Sequence, residues 1–263
     1  MASCSISARE TGSESATVPN WLELPTDIIT NILRRLDTID IVKNACIVCP
    51  LWWSICKDPL MWRTIRMIGE RSYFNANFPE ICHYAVERSC GHLEEISVEY
   101  FATDELLEFI VENGTNLRCM RLVECQYISD EGFCKAVRKL LQLEELEISL
   151  CSLSKESLEV LGRSCRLLKS LIFSREWNRP VADDGDALII SETMSRLRRL
   201  HLDGNRLTDI GLLAILNGCP LLESLYIGGC YHLELSQGLE ERCLEQIKDV
   251  RLSFTIDYLQ VLL

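Results

Sequence analysis

The residues of this chain that could ligate a metal, attack a substrate or move a proton are fourteen cysteines, four histidines and a few carboxylate pairs. Cys46 and Cys49 form a C-x-x-C, but no second pair follows at zinc-ribbon spacing and no redox-type strand precedes it. They read as two small apolar residues within a packed helix. His83, His92, His201 and His232 stand at no spacing from a Cys or Ser that a known catalytic motif uses. Glu94-Glu95, Glu144-Glu145 and Asp183-Asp184 read as solvated faces, because acid–base carboxylates need a buried, shaped site to shift their pKa values. There is no G-x-x-x-x-G-K-[ST], and no G-x-G-x-x-G after a strand. The expectation is a protein without catalytic residues, metal or cofactor, whose work is binding.

A repeat organises the elements that would present such a binding surface. The pattern L-x-x-L-x-L occurs at Leu93-Ile96-Val98, Leu117-Met120-Leu122, Leu143-Leu146-Ile148, Leu168-Leu171-Phe173, Leu197-Leu200-Leu202, Leu222-Leu225-Ile227 and Ile247-Val250-Leu252. Successive first positions lie 24, 26, 25, 29, 25 and 25 residues apart, the signature of a leucine-rich repeat. Three residues beyond the last apolar position stand Cys125, Cys151, Asn205 and Cys230, where a small side chain turns inward. Thr103, Ser129, Ser154 and Thr208 follow as N-caps, with Asp104, Asp130, Glu156 and Asp209 at the positive helix ends. Gly114, Gly162 and Gly218 sit where helices should end. Cys90, Cys165, Cys219 and Cys243, shortly before the next repeat, read as core packing. Each unit is thus a strand, a turn and a helix that buries its apolar face only by stacking on its neighbours. The stack should curve, with parallel strands on the concave face and helices on the convex face.

Residues 19–62 have no strand period. Ile28, Ile29, Ile32, Leu33 and Leu36 mark one helical face after Pro25, which can open a helix. Asp37-Thr38 restarts the chain, Ile41, Val42, Ala45 and Cys46 form a second stripe, and Pro50 precedes a third containing Leu51, Trp52, Ile55 and Cys56. Trp21, Trp52, Trp53 and Trp62 add more apolar surface than three short helices hide, for a partner or for packing on the first repeat. Trp62-Ile65-Met67 also fits the repeat pattern and could open an irregular capping unit, which would make the joint rigid.

In this segment the ordered set Leu24-Pro25-Thr26-Asp27-Ile28-Ile29, Ile32-Leu33-Arg34-Arg35-Leu36, Val48-Cys49-Pro50-Leu51-Trp52 and Asp58-Pro59-Leu60-Met61-Trp62 resembles an F-box. From residue 20 to about 253 the chain is similar to plant F-box/leucine-rich-repeat proteins of the Skp-interacting-partner type. The resemblance implies an α/β architecture: a three-helix F-box at 19–66, leucine-rich repeats at 67–253, and tails at 1–18, disordered, and 254–263. It also implies a non-catalytic substrate-recognition adaptor of a Skp–cullin–F-box ubiquitin ligase. The F-box would dock on a Skp-family linker and through it a cullin, and the repeats would hold an unknown target protein for ubiquitination and proteasomal degradation. By the motif match, the linker-binding residues are Leu24, Pro25, Ile28, Ile32, Leu33, Val48, Cys49 and Trp52, some of which must serve the F-box's own core. Pro50 departs from the usual polar residue there. The alternative is a leucine-rich-repeat scaffold acting outside a ligase.

The outward strand positions offer Glu95, Ser97, Arg121, Glu145, Glu147, Ile172, Arg199, His201, Tyr226 and Arg251. They read as a target-binding face or as a merely soluble inner sheet. The longest repeat carries an extra stretch, Arg175-Glu176-Trp177-Asn178-Arg179-Pro180, whose Trp177 reads as a binding hot spot or as packing. The 27 basic and 39 acidic residues give a formal charge of -12, which argues against nucleic acid and anionic membrane as partners. No secretory signal or span-length apolar run stands out, so the expected compartment is the reducing nucleus or cytoplasm, with free thiols.

Overall fold

The computed structural model describes residues 24–68, 77–175 and 181–253. The expected tails 1–18 and 254–263, Trp21, and Trp177 with residues 176–180 lie outside the described residues. Three short helices open the described chain: α1 (Thr26–Leu33), α2 (Thr38–Lys43) and α3 (Pro50–Cys56). Pro25 stands just outside α1 at its N-cap, where its carbonyl accepts from the N–H groups of Ile28 and Ile29. Asp37 caps α2 by accepting from the Ile39 N–H at 2.7 Å. The second apolar stripe is divided: α2 stops at Lys43, and Ala45 and Cys46 belong to a 3-10 turn, Ala45–Ile47. Pro50 is the first residue of α3, where the N–H that it lacks has no helical partner to lose. The C-x-x-C therefore does not lie within one helix, since Cys46 is buried in the turn and Cys49 is the half-exposed N-cap of α3.

Eight parallel strands follow in sequential order: β1 (Thr64–Ile68), β2 (Glu95–Glu99), β3 (Cys119–Val123), β4 (Glu145–Ser149), β5 (Ser170–Ser174), β6 (Arg199–Asp203), β7 (Ser224–Gly228) and β8 (Asp249–Ser253). Parallel neighbours need a crossover. Here the crossovers run through α4 (Phe78–Arg88), α5 (Asp104–Asn113), α6 (Asp130–Val137), α7 (Lys155–Ser164), α8 (Gly185–Thr193), α9 (Asp209–Gly218) and α10 (Gln237–Gln246), on the convex side. The second apolar position of every repeat aligns across the sheet, from Ile96 through Met120, Leu146, Leu171, Leu200 and Leu225 to Val250. All but the last of these are buried. Gly114 caps α5 and Gly218 ends α9, whereas Gly162 lies inside the last turn of α7.

Hydrogen bonds tie each repeat to the one before it. Cys125 Sγ donates to the Val98 carbonyl and Cys151 Sγ to the Leu122 carbonyl, each at 3.4 Å; Asn205 Nδ2 donates to the Phe173 carbonyl at 3.1 Å. Cys165, Cys219 and Cys243 are buried as expected. Cys90 is not: the chain turns left-handed there (φ 47°) at the end of α4 and leaves the thiol exposed.

The first-turn aspartates reach beyond their own helices. Asp104 accepts from the Ser129 N–H (2.8 Å) and hydroxyl (2.6 Å) of the next repeat, and Asp130 from the Ser154 N–H (2.8 Å). Asp209 accepts from the N–H groups of Glu234, Leu235 and Ser236 at 2.9 to 3.1 Å. Asp184, expected to be solvated, is another rung: it accepts from the Thr208 N–H (2.8 Å) and hydroxyl (2.7 Å). Space is reserved for these rungs, since a Cβ on Gly132 would lie 2.1 Å from Asp104 Oδ1. The Ser236 N–H, aided by those of Leu235 and Glu234, holds the Asp209 carboxyl below its ordinary range against the opposing effect of desolvation.

At the other end, strand β1 would expose an edge of unpaired N–H groups. The helical segment covers it. Thr38 Oγ1, on a buried side chain, accepts from the Arg66 N–H at 3.0 Å. Trp62 is buried, donates from Nε1 to the Cys56 carbonyl (2.9 Å), and meets Tyr84 of α4 edge-on at 5.9 Å. Trp62-Ile65-Met67 thus takes up the repeat, and the boundary expected at residue 66 falls inside β1.

Two consequences can be measured. Asp209→Ala should lower stability by about 1–2 kcal/mol in urea titrations at pH 7. Because the folded pKa lies below the unfolded value of about 3.9, that contribution is present above about pH 4 and is lost as pH falls through the folded pKa. The gap between wild type and variant should therefore shrink in strong acid. Thr38→Val keeps the shape but strands the Arg66 N–H, and should cost about 1–3 kcal/mol by the same titration; an unchanged midpoint would mean that the joint does not depend on this bond.

Candidate functional site

Two surfaces stand out, one on the helical segment and one on the sheet. The segment exposes apolar side chains on three successive elements. Leu24, Pro25 and Ile28 (44% exposed) lie at the start of α1, and Val48 (58% exposed) follows the 3-10 turn. Ile32, Cys49 and Trp52 are half-buried, and Trp52 packs on the core. Leu33 is fully buried beside Ile29, so it belongs to the core of the segment and not to a contact surface. Sequence reasoning missed Ile47 (79% exposed), Leu36 and Leu60 as surface residues, and left Trp53, which is exposed, between partner contact and packing. The signal for Trp53 was present: successive helical residues point about 100° apart, so Trp52 and Trp53 cannot both face one core.

The concave face is built from columns of aligned outward residues. The central column runs Arg66, Ser97, Arg121, Glu147, Ile172, His201, Tyr226 and Arg251. Beside it run Thr64, Glu95, Cys119, Glu145, Ser170, Arg199, Ser224 and Asp249. All the expected outward strand residues therefore share this face. A third column was missed because the leucine pattern stops one residue before each strand does. It holds Ile68, Glu99, Val123, Ser149, Ser174, Asp203 and Gly228.

Most concave charges are already paired. Arg121 lies 2.5 Å from Glu95 and 3.7 Å from Glu147, and Arg199 reaches Glu145 at 2.6 Å. Arg251 Nε lies 3.3 Å from Asp249. Glu94 and Glu144, expected to be solvated, pair with Arg63 and with Lys169 and Arg118. The third column differs. Burial raises the pKa of Glu99, aided by repulsion from Glu147, Glu124 and Asp37. Burial also raises that of Asp203, opposed in part by the nearby Gly204 N–H dipole. His201 stacks on Tyr226 with ring centroids 4.1 Å apart, and burial lowers its pKa to about 4, so the imidazole is neutral at pH 7.

Among the described residues no group of three or more His, Cys, Asp or Glu side chains could hold a metal ion, and no helix is long and apolar enough to cross a membrane. The arrangement supports contact chemistry: an apolar patch and a patterned sheet, held rigidly together.

Comparison with known proteins agrees with this architecture. An F-box-like family model matches residues 21–68, and a leucine-rich-repeat model matches residues 194–216. The F-box protein SKIP19 of Arabidopsis thaliana is 45% identical over 234 residues, covering 88% of this chain and 76% of the relative. F-box/LRR-repeat protein 23 of the same plant is 44% identical over 237 residues, covering 88% of this chain and 53% of that one. Among solved structures, the yeast Rad7–Elc1 complex shares the fold, with a TM-score of 0.57 at 19% identity over 80% of this chain and 51% of that chain. With a helical segment, a repeat solenoid and a relative this similar over most of both lengths, the chain belongs to the F-box/leucine-rich-repeat proteins.

Proposed function

We propose that the chain is the substrate-recognition adaptor of a Skp–cullin–F-box ubiquitin ligase. On this reading the exposed apolar residues of the F-box dock on a Skp-family linker, and the concave sheet holds a target protein for ubiquitination and degradation. The observation that carries it is the pairing of those exposed residues with a joint that hydrogen-bonds the F-box to the β1 edge. The protein's own part is then geometric. A target held at a fixed distance from an activated ubiquitin reacts faster through proximity, without bond chemistry by the adaptor. Leu24, Pro25, Ile28, Val48 and Ile47 are the contacts proposed for the linker, with Ile32, Cys49 and Trp52 supporting them. Every described cysteine is a free thiol, which fits the proposed nuclear or cytoplasmic compartment.

The purified chain should bind a Skp-family linker, and the double substitution Leu24→Ala, Pro25→Ala should weaken that binding by roughly tenfold to a hundredfold, the loss of one well-buried apolar side chain. Circular dichroism should show the repeats unchanged. Equal binding by the variant would sink the docking surface. No binding by the intact chain would leave a leucine-rich-repeat scaffold working outside a ligase.

A further inference from the structure

The concave face is mostly self-neutralised, and one exception lies where β6 meets β7. His201 and Tyr226 are register partners, and their rings stack at 4.1 Å with 27° between planes. Both remain half-exposed. Two residues further along β6, Asp203 stands beside Gly228. A Cβ on Gly228 would lie 2.5 Å from Asp203 Oδ1 and 2.7 and 2.9 Å from Tyr226 Cε1 and OH. The carboxylate and the phenol therefore converge over a position that has no side chain of its own.

The arginines around this spot are committed elsewhere. Arg175 makes two bonds to Asp186, Arg206 pairs with Asp183, Arg199 with Glu145, and Arg251 with Asp249. Asp203 makes no ion pair among the described residues. A half-buried carboxylate beside a neutral aromatic stack has a chemical complement: a flat cation that stacks on a ring and donates to the acid. A guanidinium does both, whereas an ammonium is a point charge with a stronger hold on water.

We propose that His201, Tyr226 and Asp203 form the receptor for an arginine side chain of the target, its guanidinium lying on the ring stack and hydrogen-bonded to the Asp203 carboxylate. This rests on the reading of the repeats as the target-binding part. Gly228 leaves room for the Asp203 carboxylate and the Tyr226 ring that lie over it, and ion pairs on β2 to β4 occupy most of the other concave carboxylates.

The test selects peptides from a phage-displayed library of random dodecapeptides on the full chain bound to its Skp-family linker. Enriched peptides should share one arginine. Replacing that arginine by citrulline, which is flat but neutral, should weaken binding roughly tenfold or more, and lysine should also bind more weakly. In Asp203→Asn, which is isosteric, the citrulline penalty should fall below about twofold. Gly228→Ala should weaken the arginine peptide while the carboxylate is retained, and it carries the test if Asp203→Asn does not fold. Enrichment without a shared arginine, a citrulline penalty unchanged in Asp203→Asn, lysine binding as tightly as arginine, or no enriched peptide at all would overturn the assignment. Linker binding is measured in parallel. Its loss in the intact chain would defeat the adaptor reading alone, because the peptides report on the concave face directly.

Discussion

A single strand–turn–helix unit can satisfy neither its apolar face nor its backbone, and the rest of this structure depends on that constraint. Each unit lends a neighbour what it lacks. Strands share a ladder, and inward Cys and Asn side chains donate to carbonyls one repeat back. Aspartates at the helix starts accept from N–H groups one repeat ahead. The near-constant step of the sequence pattern is the length at which all three bonds close together. A stack of this kind has strong internal coupling between neighbours and none between distant units, so its first edge must be closed from outside.

Here the F-box closes it. Thr38 sits where the chain breaks between two helices, and from there it accepts from the Arg66 N–H, which β1 turns away from β2. Trp62 then joins the core of the helices to the core of the solenoid. One set of contacts thus ends the sheet and fixes the angle between the two surfaces. For the proposed adaptor this matters because the gain from proximity depends on how narrowly the held group is positioned.

The net charge of the chain conceals a patterned interior face. Along β2 to β4 acid and base alternate between neighbouring strands and cancel locally, and such exposed pairs add little to stability. Their effect is to leave Glu99 and Asp203, carboxylates at strand ends with no ion pair among the described residues, as the places where a partner's charge would be felt.

Much of this was legible in the sequence. Periodicity alone yields the strands, the inward column from Ile96 to Val250, the inward Cys and Asn positions and the outward central column, because each depends only on spacing along the chain. The motif order yields the F-box. Other features needed the tertiary structure because they depend on what lies one repeat away. Asp184 and Asp183 are adjacent, yet one bonds to Thr208 and the other to Arg206. Leu33 and Ile28 fall on one helical stripe, yet only packing against the rest of the F-box decides that Leu33 is core and Ile28 surface. Cys90 shares its place in the repeat with buried cysteines, but a left-handed turn sends it outward. Asp203 lay one residue beyond the leucine pattern, and only the register with Gly228 brings its carboxylate beside the His201–Tyr226 stack. The sequence by itself determined which strand residues face in and which face out, since that follows from local period. Which outward residues meet one another was decided by the stacking, which brings together side chains about 25 residues apart.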